Sequence, residues 1–424
     1  MTRVLLFATT TGYQIRSFGE AAEALGIQLV FASDRCDHLE DPWRDEAIAV
    51  RFHDSEASLE AVVRACQRQP PAGVLAVGDR PTVLAAHVAA ALGLLGNPPA
   101  SAEASRNKLA SRRAFVAAGL LTPHFHTISA AQGLSDLPAL EYPVVIKPLS
   151  LSGSRGVIRA DDVVELESAL ERVRRLLKAP DVALERNAVH ERLLVESFIP
   201  GLEYAVEGVL TDGTLQAVAI FDKPDPLDGP FFEETIYVTP SRAPTGAQTA
   251  ILDAVAAAAS ALGLRHGPVH AECRVNERGV YVLEVAARPI GGLCSKALRL
   301  EGPGGNQATL EEMLLRHASG EDVGGYRLAP GASGVMMIPI PRRGVYRGVS
   351  GVDEARQVPG IEDVRITAKP DARLVPLPEG RSYLGFIFAR GDQASAVEQA
   401  LRDAHTRLRF EIERELVVVD GVRS

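Results

Sequence analysis

Basic residues, cysteine and long apolar runs are all scarce in this 424-residue sequence. Lysine and arginine number 45 against 54 aspartates and glutamates, so the net charge is −9 and offers no positive footprint for nucleic acid or an anionic membrane. No apolar run reaches the length of about 18 residues that spans a bilayer. The apolar stretch after Met1 is also too short for a secretory signal. These absences predict a cytoplasmic protein without a nucleic-acid or membrane partner.

Cysteine occurs only at Cys36, Cys66, Cys273 and Cys294, and never in a CxxC pair. This spacing signals neither a zinc site nor a disulfide framework, so we expect free thiols in a reducing cytosol. Aromatic residues make up 5% of the chain, whereas hydrophobic residues reach 46% because alanine, valine and leucine dominate. That composition is ordinary for a globular protein, and the length suggests about three domains.

The first hundred residues alternate short apolar strands with helices. Strands are predicted over residues 4–7, 29–31 and 73–77, and helices over 15–25, 59–66 and 82–92. This βαβ rhythm predicts a parallel, doubly wound sheet. No GxGxxG motif follows the first strand, so the sequence does not support a nicotinamide dehydrogenase.

Asn97-Pro98-Pro99 marks a domain boundary, and mixed α/β patterning continues beyond it. Helices are predicted over residues 104–118, 162–178, 250–262 and 394–405, and strands over 143–148, 193–198, 204–210, 215–221, 335–339 and 384–389. The whole chain is therefore predicted to be an α/β protein with added α+β elements.

The segment from His270 to Arg288 reads as a β-hairpin. A three-residue loop of Glu277, Arg278 and Gly279 would place Glu272 directly opposite Glu284. The same register assigns Ala271, Cys273, Val275, Tyr281, Leu283 and Val285 to the core face. Two carboxylates with Cβ atoms about 5 Å apart repel each other, and a divalent cation such as Mg²⁺ reverses that effect. The alternative is an exposed polar face on which Arg274 and Arg288 neutralise the two acids.

A second group of residues suggests a phosphate site. Lys147 ends a buried strand, and the Gly/Ser-rich loop 150–156 that follows could wrap backbone N–H groups around an anion. The loop is not a Walker A motif, and a simple flexible turn is the alternative. Lys108, in the first turns of a helix, could equally be a solvated lysine. Glu196 and Glu203 flank a Pro-Gly turn and could converge on one cleft, or lie on the surface as ordinary acids.

Taken in order, these elements resemble the ATP-grasp superfamily. The similar segments are the first lysine segment around Asn107-Lys108, the strand 142–148, the loop 152–157, the hinge 195–203, and the carboxylate end with Glu272, Glu284 and Arg288. The resemblance implies four segments: a Rossmann-like N-terminal domain (1–100), a small lid subdomain (101–195), a large subdomain with the metal and substrate site (196–315), and a C-terminal domain (316–424).

The resemblance also implies a role for each site residue. ATP would be bound by Lys108, Lys147, the lid residues Ser152, Gly153, Ser154 and Gly156, and the hinge residues Glu196, Phe198, Ile199 and Glu203. Glu272 and Glu284 would hold one or two Mg²⁺ ions, with Mn²⁺ as a substitute. Arg288 and Lys147 would be catalytic. Substrate would be bound by Glu234, His270, Arg288, Gly291 and Gly292.

The segments 229–235, 332–337 and 383–391 resemble the L-amino acid ligase branch, which makes dipeptides and related amides. One departure matters: many ATP-grasp enzymes carry Asn two residues after the second metal-binding Glu, whereas Ala286 stands here. The resemblance implies an ATP-dependent carboxylate–amine ligase that works through an acyl-phosphate. Its substrates would be a small-molecule acid and an amine, and a homodimer is common in the family.

Two alternatives remain open at this point. One is a purine-biosynthesis or biotin-carboxylase-like ATP-grasp reaction, and the other is a non-catalytic nucleotide-binding module. Within the ligase hypothesis, Glu234 would pair with a substrate ammonium, which predicts an α-amino acid as the activated acid. Gly291 and Gly292 would leave room for a second substrate that need not be small. The alternative is a surface acid beside a plain turn.

Overall fold

A parallel four-stranded sheet opens the chain, as the alternating pattern predicts. The structure, a computed structural model, describes residues 1–10, 12–34 and 47–415. The elements of this region are β1 (Arg3–Ala8), α1 (Ile15–Leu25), β2 (Gln28–Ser33), β3 (Ile48–Ala49), α2 (Ser55–Cys66), β4 (Gly73–Val77) and α3 (Thr82–Ala91). The strand order is β3-β2-β1-β4. Helix α1 ends at Gly26, whose φ of 63° needs a residue without a side chain.

A second, antiparallel sheet follows, with the order β5-β8-β6-β7. Its region contains α4 (Pro99–Arg106), α5 (Lys108–Ala117), β5 (Phe125–Ser129), β6 (Val144–Pro148), β7 (Ile158–Ala160), α6 (Val163–Leu177), α7 (Pro180–Ala183) and β8 (Arg192–Ser197). Helix α6 packs Leu166, Leu170 and Val173 onto the sheet. The Gly/Ser-rich loop 149–157 connects β6 to β7, and its residues Ser152, Gly153 and Ser154 line one side of the cavity described below.

The prediction of one continuous helix over residues 104–118 is wrong, because Asn107 separates two helices, α4 and α5. This residue is extended, with φ −104° and ψ 107°, and its side chain accepts hydrogen bonds from the amides of Leu109 and Ala110. Asn107 is thus the N-cap of α5, a position that asparagine favours. The break places Lys108 at the first position of α5.

The largest sheet has eight strands in the order β13-β12-β9-β10-β11-β17-β21-β19. The first part of this region contains β9 (Leu202–Thr211), β10 (Thr214–Lys223), β11 (Ile236–Thr239), α8 (Thr245–Ala261), β12 (Gly267–Asn276), β13 (Gly279–Ala286), β14 (Leu300–Glu301), β15 (Gln307–Ala308), α9 (Leu310–Ala318) and β16 (Arg327–Leu328). Helix α8 covers one face with Ile251, Val255 and Ala258.

The C-terminal segment extends this same sheet. Its elements are β17 (Ala332–Ile338), β18 (Gly344–Ser350), α10 (Val352–Arg356), β19 (Ile361–Ile366), β20 (Arg373–Leu374), β21 (Gly385–Gly391), α11 (Ala394–Arg407) and β22 (Arg409–Glu413). Strand β17 pairs antiparallel with β11, from Ile236 opposite Met336 to Thr239 opposite Ser333. The predicted strand at 384–389 and the helix at 394–405 are confirmed within two residues, and the strand predicted over 335–339 begins three residues earlier, at Ala332.

A continuous apolar core joins the N-terminal sheet to the largest sheet. It runs from Leu75 and Phe18 through Met313 of α9 to Met337 and Phe386. This core packs β1 and β4 with residues of β9, β10, β17 and β21, and residues that follow β1 and β4, Thr9 and Asp79, line the cavity described below. Among the described residues, no helix is long and apolar enough to cross a membrane.

The N-cap at Asn107 gives a testable expectation. Asn107→Ala should destabilise the first turn of α5 by about 1 kcal/mol, because two amides lose their acceptor. Amide hydrogen exchange across residues 108–117 measures this locally. Asn107→Ser keeps a capping oxygen and should exchange almost as slowly as the parent. Equal exchange in the Ala and Ser variants would contradict the capping role.

Candidate active site

One cavity of about 410 Å³ gathers side chains from every region of the chain, a size typical of small-molecule sites. Sixteen of the predicted site residues line it: Lys108, Lys147, Ser152, Gly153, Ser154, Glu196, Phe198, Ile199, Glu203, Glu234, His270, Glu272, Glu284, Arg288, Gly291 and Gly292. The predicted site residues, which are spread along much of the sequence, therefore lie around one cavity.

Gly156 is the exception, and the structure does not bring it to the cavity. Its N–H donates to the carbonyl of Pro378 at 2.9 Å, so it is not free to bind a phosphate. Its φ is +75°, and a Cβ there would lie 2.9 Å from atoms of Leu176 and Pro148. The glycine at this position lets the loop pack against its surroundings, contrary to the predicted nucleotide contact.

The hairpin formed by β12 and β13 places Glu272 directly opposite Glu284, as predicted. The turn and the strand pairing that produce this register differ from the prediction. Asn276 pairs with Gly279, so the turn has two residues rather than three, and a bulge between the Glu272–Glu284 and Cys273–Val282 pairs restores the register. A bulge adds one residue to one strand. Leu283, which was predicted to be core, consequently lines the cavity.

Lys223, at the end of β10, lies at the centre of an acidic group. Its Nζ is 2.9 Å from Glu203, 2.6 Å from Glu234 and 3.1 Å from Glu272. Carboxylate oxygens of these three glutamates lie within 4.8 Å of one another, close enough to hold a metal ion. The ammonium group compensates three negative charges at the floor of the cavity.

Burial and charge shift the pKa values of this group in opposite directions. Burial favours the neutral amine of Lys223, but the three carboxylates hold its pKa well above the ordinary value. Burial raises the pKa of Glu234 to about 7, and the neighbouring Glu272 adds to the increase. Burial by itself would raise the pKa of Glu272, but Lys223 and His270 hold that pKa well below its usual range. Glu272 is therefore the carboxylate that stays ionised.

Glu284 forms an ion pair with a different lysine, Lys108. The Nζ of Lys108 lies 3.1 Å from a Glu284 carboxylate oxygen and donates to the carbonyl of Leu151 at 2.9 Å. Only 11% of the Lys108 side chain is exposed, so it is not a solvated helix lysine. The capped break at Asn107 aims this side chain into the cavity.

Glu196 is buried between two cations. One oxygen accepts from Nε of Arg112 at 2.6 Å, and the other forms an ion pair with Lys147. Arg112 is fully buried. Burial lowers the pKa of Lys147, although Glu196 opposes that change. Glu196 is not a surface acid: it fixes the position of Lys147 at the mouth of the Gly/Ser-rich loop.

The hinge residues are organised by Arg274. Its guanidinium donates to Glu203 at 2.9 Å and to the carbonyl of Ile199 at 2.8 Å, and it lies 5.1 Å from the ring of Phe198. The alternative in which Arg274 neutralises Glu272 or Glu284 is thus wrong. Both oxygens of Glu203 already accept from cations, Lys223 and Arg274.

Arg288 reaches across to the N-terminal sheet. Its Nε is 2.9 Å and its Nη2 3.3 Å from the two oxygens of Asp79, which directly follows β4 and Gly78. Burial favours the neutral acid, but Arg288 holds the pKa of Asp79 below its ordinary value. This two-point contact fixes the plane of the guanidinium in the cavity. Arg288 makes its direct contacts with Asp79, and the hairpin acids Glu284 and Glu272 also help to raise its pKa.

His270 contacts Glu207 at 3.1 Å through Nδ1, while its Nε2 is 3.7 Å from Glu272. Burial opposes its charged form, but the hydrogen bond to Glu207 and the nearby carboxylate of Glu272 raise its pKa to about 9. A charged imidazolium is therefore expected at neutral pH. Glu207 also accepts from the amide of Ile290 at 3.1 Å, which ties the loop after Arg288 to the sheet.

The two glycines after Arg288 serve different purposes. No atom lies within 4 Å of the place a Cβ would take at Gly291, so this residue leaves open space in the cavity. At Gly292, with φ +62°, a Cβ would meet the ring of Phe386 at 3.1 Å. The structure thus has open space at Gly291 but not at Gly292, and binding of a second substrate there stays a prediction.

Several cavity residues were not predicted. Lys223 ends an apolar strand as Lys147 does, so the same signal could have identified it. Asp79, Tyr383 and Arg381 come from loops or strand ends of other regions, and no local pattern in the sequence marks them. The three cysteines within the described residues, Cys66, Cys273 and Cys294, are buried free thiols, and Cys36 lies outside those residues.

Comparisons with known families agree with this geometry. The model of the ATP-grasp domain matches residues 140–297, and that of the ATP-grasp N-terminal domain matches residues 19–96. The model of L-amino acid ligase C-terminal domain 2 matches residues 336–413. The matched stretches include the lid, the hinge, both hairpin carboxylates and the C-terminal strands.

Individual proteins show the same likeness. The crystal structure of an L-amino acid ligase from Bacillus licheniformis superimposes with a TM-score of 0.79 and 28% identity, covering 98% of this chain and 99% of that one. A D-alanine–D-alanine ligase of Gloeobacter violaceus is 30% identical over 50% of this chain and 67% of its own length. Alanine–anticapsin ligase of Bacillus subtilis is 29% identical over 47% of this chain and 44% of its own.

The chain belongs to the ATP-grasp superfamily, on the L-amino acid ligase side of it. It is an ATP-dependent ligase of the kind that forms carbon–nitrogen bonds, as the relatives it resembles do. ATP-grasp ligases use ATP, generally with Mg²⁺.

The contact between Asp79 and Arg288 predicts a positioning role for a residue of the N-terminal sheet. Asp79→Asn should lower kcat for ATP-dependent phosphate release by about 10–100-fold, because a loosened guanidinium no longer holds its geometry. The KM for ATP should change little. Asp34→Asn, which changes an acid that directly follows β2 of the same sheet, is the matched control. A kcat equal to that of the parent would show that Arg288 needs no support from Asp79.

Proposed function

We propose that this protein joins two amino acids into an amide through an acyl-phosphate, with release of ADP and phosphate. The observation that carries the proposal is the position of Glu234. This buried carboxylate lines the same cavity as Arg288, Glu272 and Glu284, so an acid activated there would have its α-ammonium group beside a negative charge.

In this proposal the phosphates of ATP lie between Lys108, Lys147 and the lid loop. Lys147 is set by Glu196, and Lys108 is set by the cap of α5. The hinge at Phe198 and Ile199 receives the adenine, with Glu196 below it and Glu203 toward the ribose. Catalysis then depends mainly on positioning and on neutralisation of charge.

The donor set fits Mg²⁺. Glu272 and Glu284 are hard oxygen ligands opposite each other, and the oxygens of Glu203 and Glu234 lie close to Glu272. Glu272 and Glu284 would hold one or two ions, and Ala286 contributes no side-chain ligand. A bound Mg²⁺ neutralises phosphate charge and polarises the phosphoryl group.

The substrate carboxylate attacks the γ-phosphorus, and ADP departs. The amine of the second substrate then attacks the carbonyl carbon of the acyl-phosphate, and phosphate leaves. Arg288, held by Asp79, stabilises the negative charge on the phosphoryl group and on the tetrahedral intermediate. The open space at Gly291 accommodates the second substrate. The domain boundaries, the homodimer and the cytoplasmic location remain predictions.

Metal binding can be tested at the hairpin. Glu284→Gln should reduce phosphate release by roughly 100-fold or more, because a lost ligand removes several kcal/mol of charge stabilisation. The Mn²⁺ concentration needed for half-saturation, followed by electron paramagnetic resonance with ADP present, should rise. Glu277→Gln, at the exposed turn of the same hairpin, is the control. Unchanged Mn²⁺ binding in Glu284→Gln would remove Glu284 from the metal site.

Recognition of the ammonium group can be tested with substrate pairs. A phosphate-release screen first identifies the amino acids that the parent uses, with bicarbonate as a separate arm. The parent should then prefer an amino acid over its deaminated analogue, and Glu234→Gln should reduce that preference by about 10–100-fold, because one charge-assisted hydrogen bond is lost. Glu233→Gln is the control at the adjacent acid.

Two results would count against the proposal. Turnover driven by bicarbonate alone would favour a carboxylase-like reaction. An unchanged preference in Glu234→Gln would show that another group recognises the ammonium.

A further inference from the structure

A second cleft lies behind the Gly/Ser-rich loop, between helix α6 and the segment 373–382, and has a volume of about 750 Å³. Six arginines line it: Arg155, Arg172 and Arg175 from the lid side, and Arg343, Arg373 and Arg381 from the C-terminal side. Only two carboxylates, Asp181 and Glu379, line it with them. The cleft is thus strongly positive in a chain whose net charge is −9.

Both carboxylates are already engaged. Arg155 donates to the two oxygens of Asp181 at 2.7 and 3.2 Å, and Arg172 donates to both oxygens of Glu379. Arg381 is 3.7 Å from Asp181, which is too long for a hydrogen bond.

The other arginines are left without a carboxylate inside the cleft. Arg373 pairs with Glu415, which does not line the cleft, at 3.0 Å. Within residues 1–10, 12–34 and 47–415, Arg175 and Arg343 form no ion pair, although Arg343 is near enough to help lower the pKa of Glu379.

Six guanidinium groups in one cleft favour a ligand that carries several negatively charged oxygens. The planar fork of arginine binds phosphate and carboxylate oxygens in pairs, and a concave wall of one sign concentrates ions of the opposite sign. The cleft is also large enough for a small molecule. We propose that it binds a small polyanion, one that carries two or more adjacent phosphate or carboxylate groups.

The position of the cleft connects it to the catalytic cavity. Gly156 donates to Pro378, and Arg155 donates through Nε to the carbonyl of Glu379 at 2.9 Å, so the lid loop is docked on the C-terminal segment. A polyanion that contacts arginines from both sides strengthens this docking. Ser152, Gly153 and Ser154 of the same loop line the catalytic cavity. Polyanion binding and nucleotide binding should therefore favour each other, with the same coupling in both directions.

Calorimetry with inorganic pyrophosphate tests the site. The full chain is first saturated with ADP in matched Mg²⁺ buffer, so that the α- and β-phosphate positions of the catalytic cavity are filled. The parent should bind one further equivalent of pyrophosphate. The double variant Arg175→Gln/Arg343→Gln should bind it at least about 10-fold more weakly, because two charge-assisted contacts to the anion are lost.

The control removes two positive charges elsewhere. Arg64→Gln/Arg278→Gln changes exposed arginines on α2 and on the β12–β13 turn, and should leave the affinity unchanged. Two further arms identify the source of the anion. ATP titrated alone should bind twice per chain if a nucleotide fills the cleft, whereas citrate and pyrophosphate binding without a second ATP indicates a free polyanion.

Three outcomes would overturn the proposal. The first is no binding of any probe to the ADP-saturated parent at millimolar concentration. The second is equal affinity in the parent and the Arg175→Gln/Arg343→Gln variant. The third is equal weakening in that variant and in the control, which would mean an adventitious ion only. None of these outcomes depends on turnover, so they are separate from the fate of the proposed ligase reaction.

Discussion

The cavity depends on one interaction, the burial of the Lys223 ammonium among Glu203, Glu234 and Glu272. Three carboxylates this close could not stay ionised in a water-poor site without a cation, because unpaired buried charge is very unfavourable. The ammonium group orients all three side chains at once. Since they come from β9, from the segment before β11 and from β12, Lys223 also fixes the relative positions of neighbouring parts of the sheet.

The same compensation recurs around the cavity wall. Glu196 is held by Arg112 and Lys147, Glu284 by Lys108, and Asp79 by Arg288. Glu196, Glu284 and Asp79 thus each lie against a partner of opposite sign. An incoming phosphate would take the place of a carboxylate beside a lysine, and an incoming divalent ion would take the place of a lysine beside a carboxylate. The ligands then replace existing ion pairs instead of entering an uncompensated site.

The sequence was informative where a local pattern determines local structure. The hairpin that carries Glu272 and Glu284, the strand that ends at Lys147 and the parallel N-terminal sheet all follow from periodicity and turn residues. A contact between distant segments leaves no such signal, so the pairing of Asp79 with Arg288 could not be predicted from the sequence. The bulge near Leu283 shows a third case: two opposite errors, in turn length and in strand continuity, cancelled and left Glu272 opposite Glu284.

The pairing of β11 with β17 has a consequence for how this chain could be divided. Three C-terminal strands complete the eight-stranded sheet. Dividing the chain between residues 239 and 332 would therefore not give two fragments that each contain a complete sheet. The shortened protein would expose β11 as a bare sheet edge with the apolar residues Ile236 and Val238, both buried in the intact chain. Such edges pair with other chains. The C-terminal segment is therefore also what protects the catalytic half from self-association.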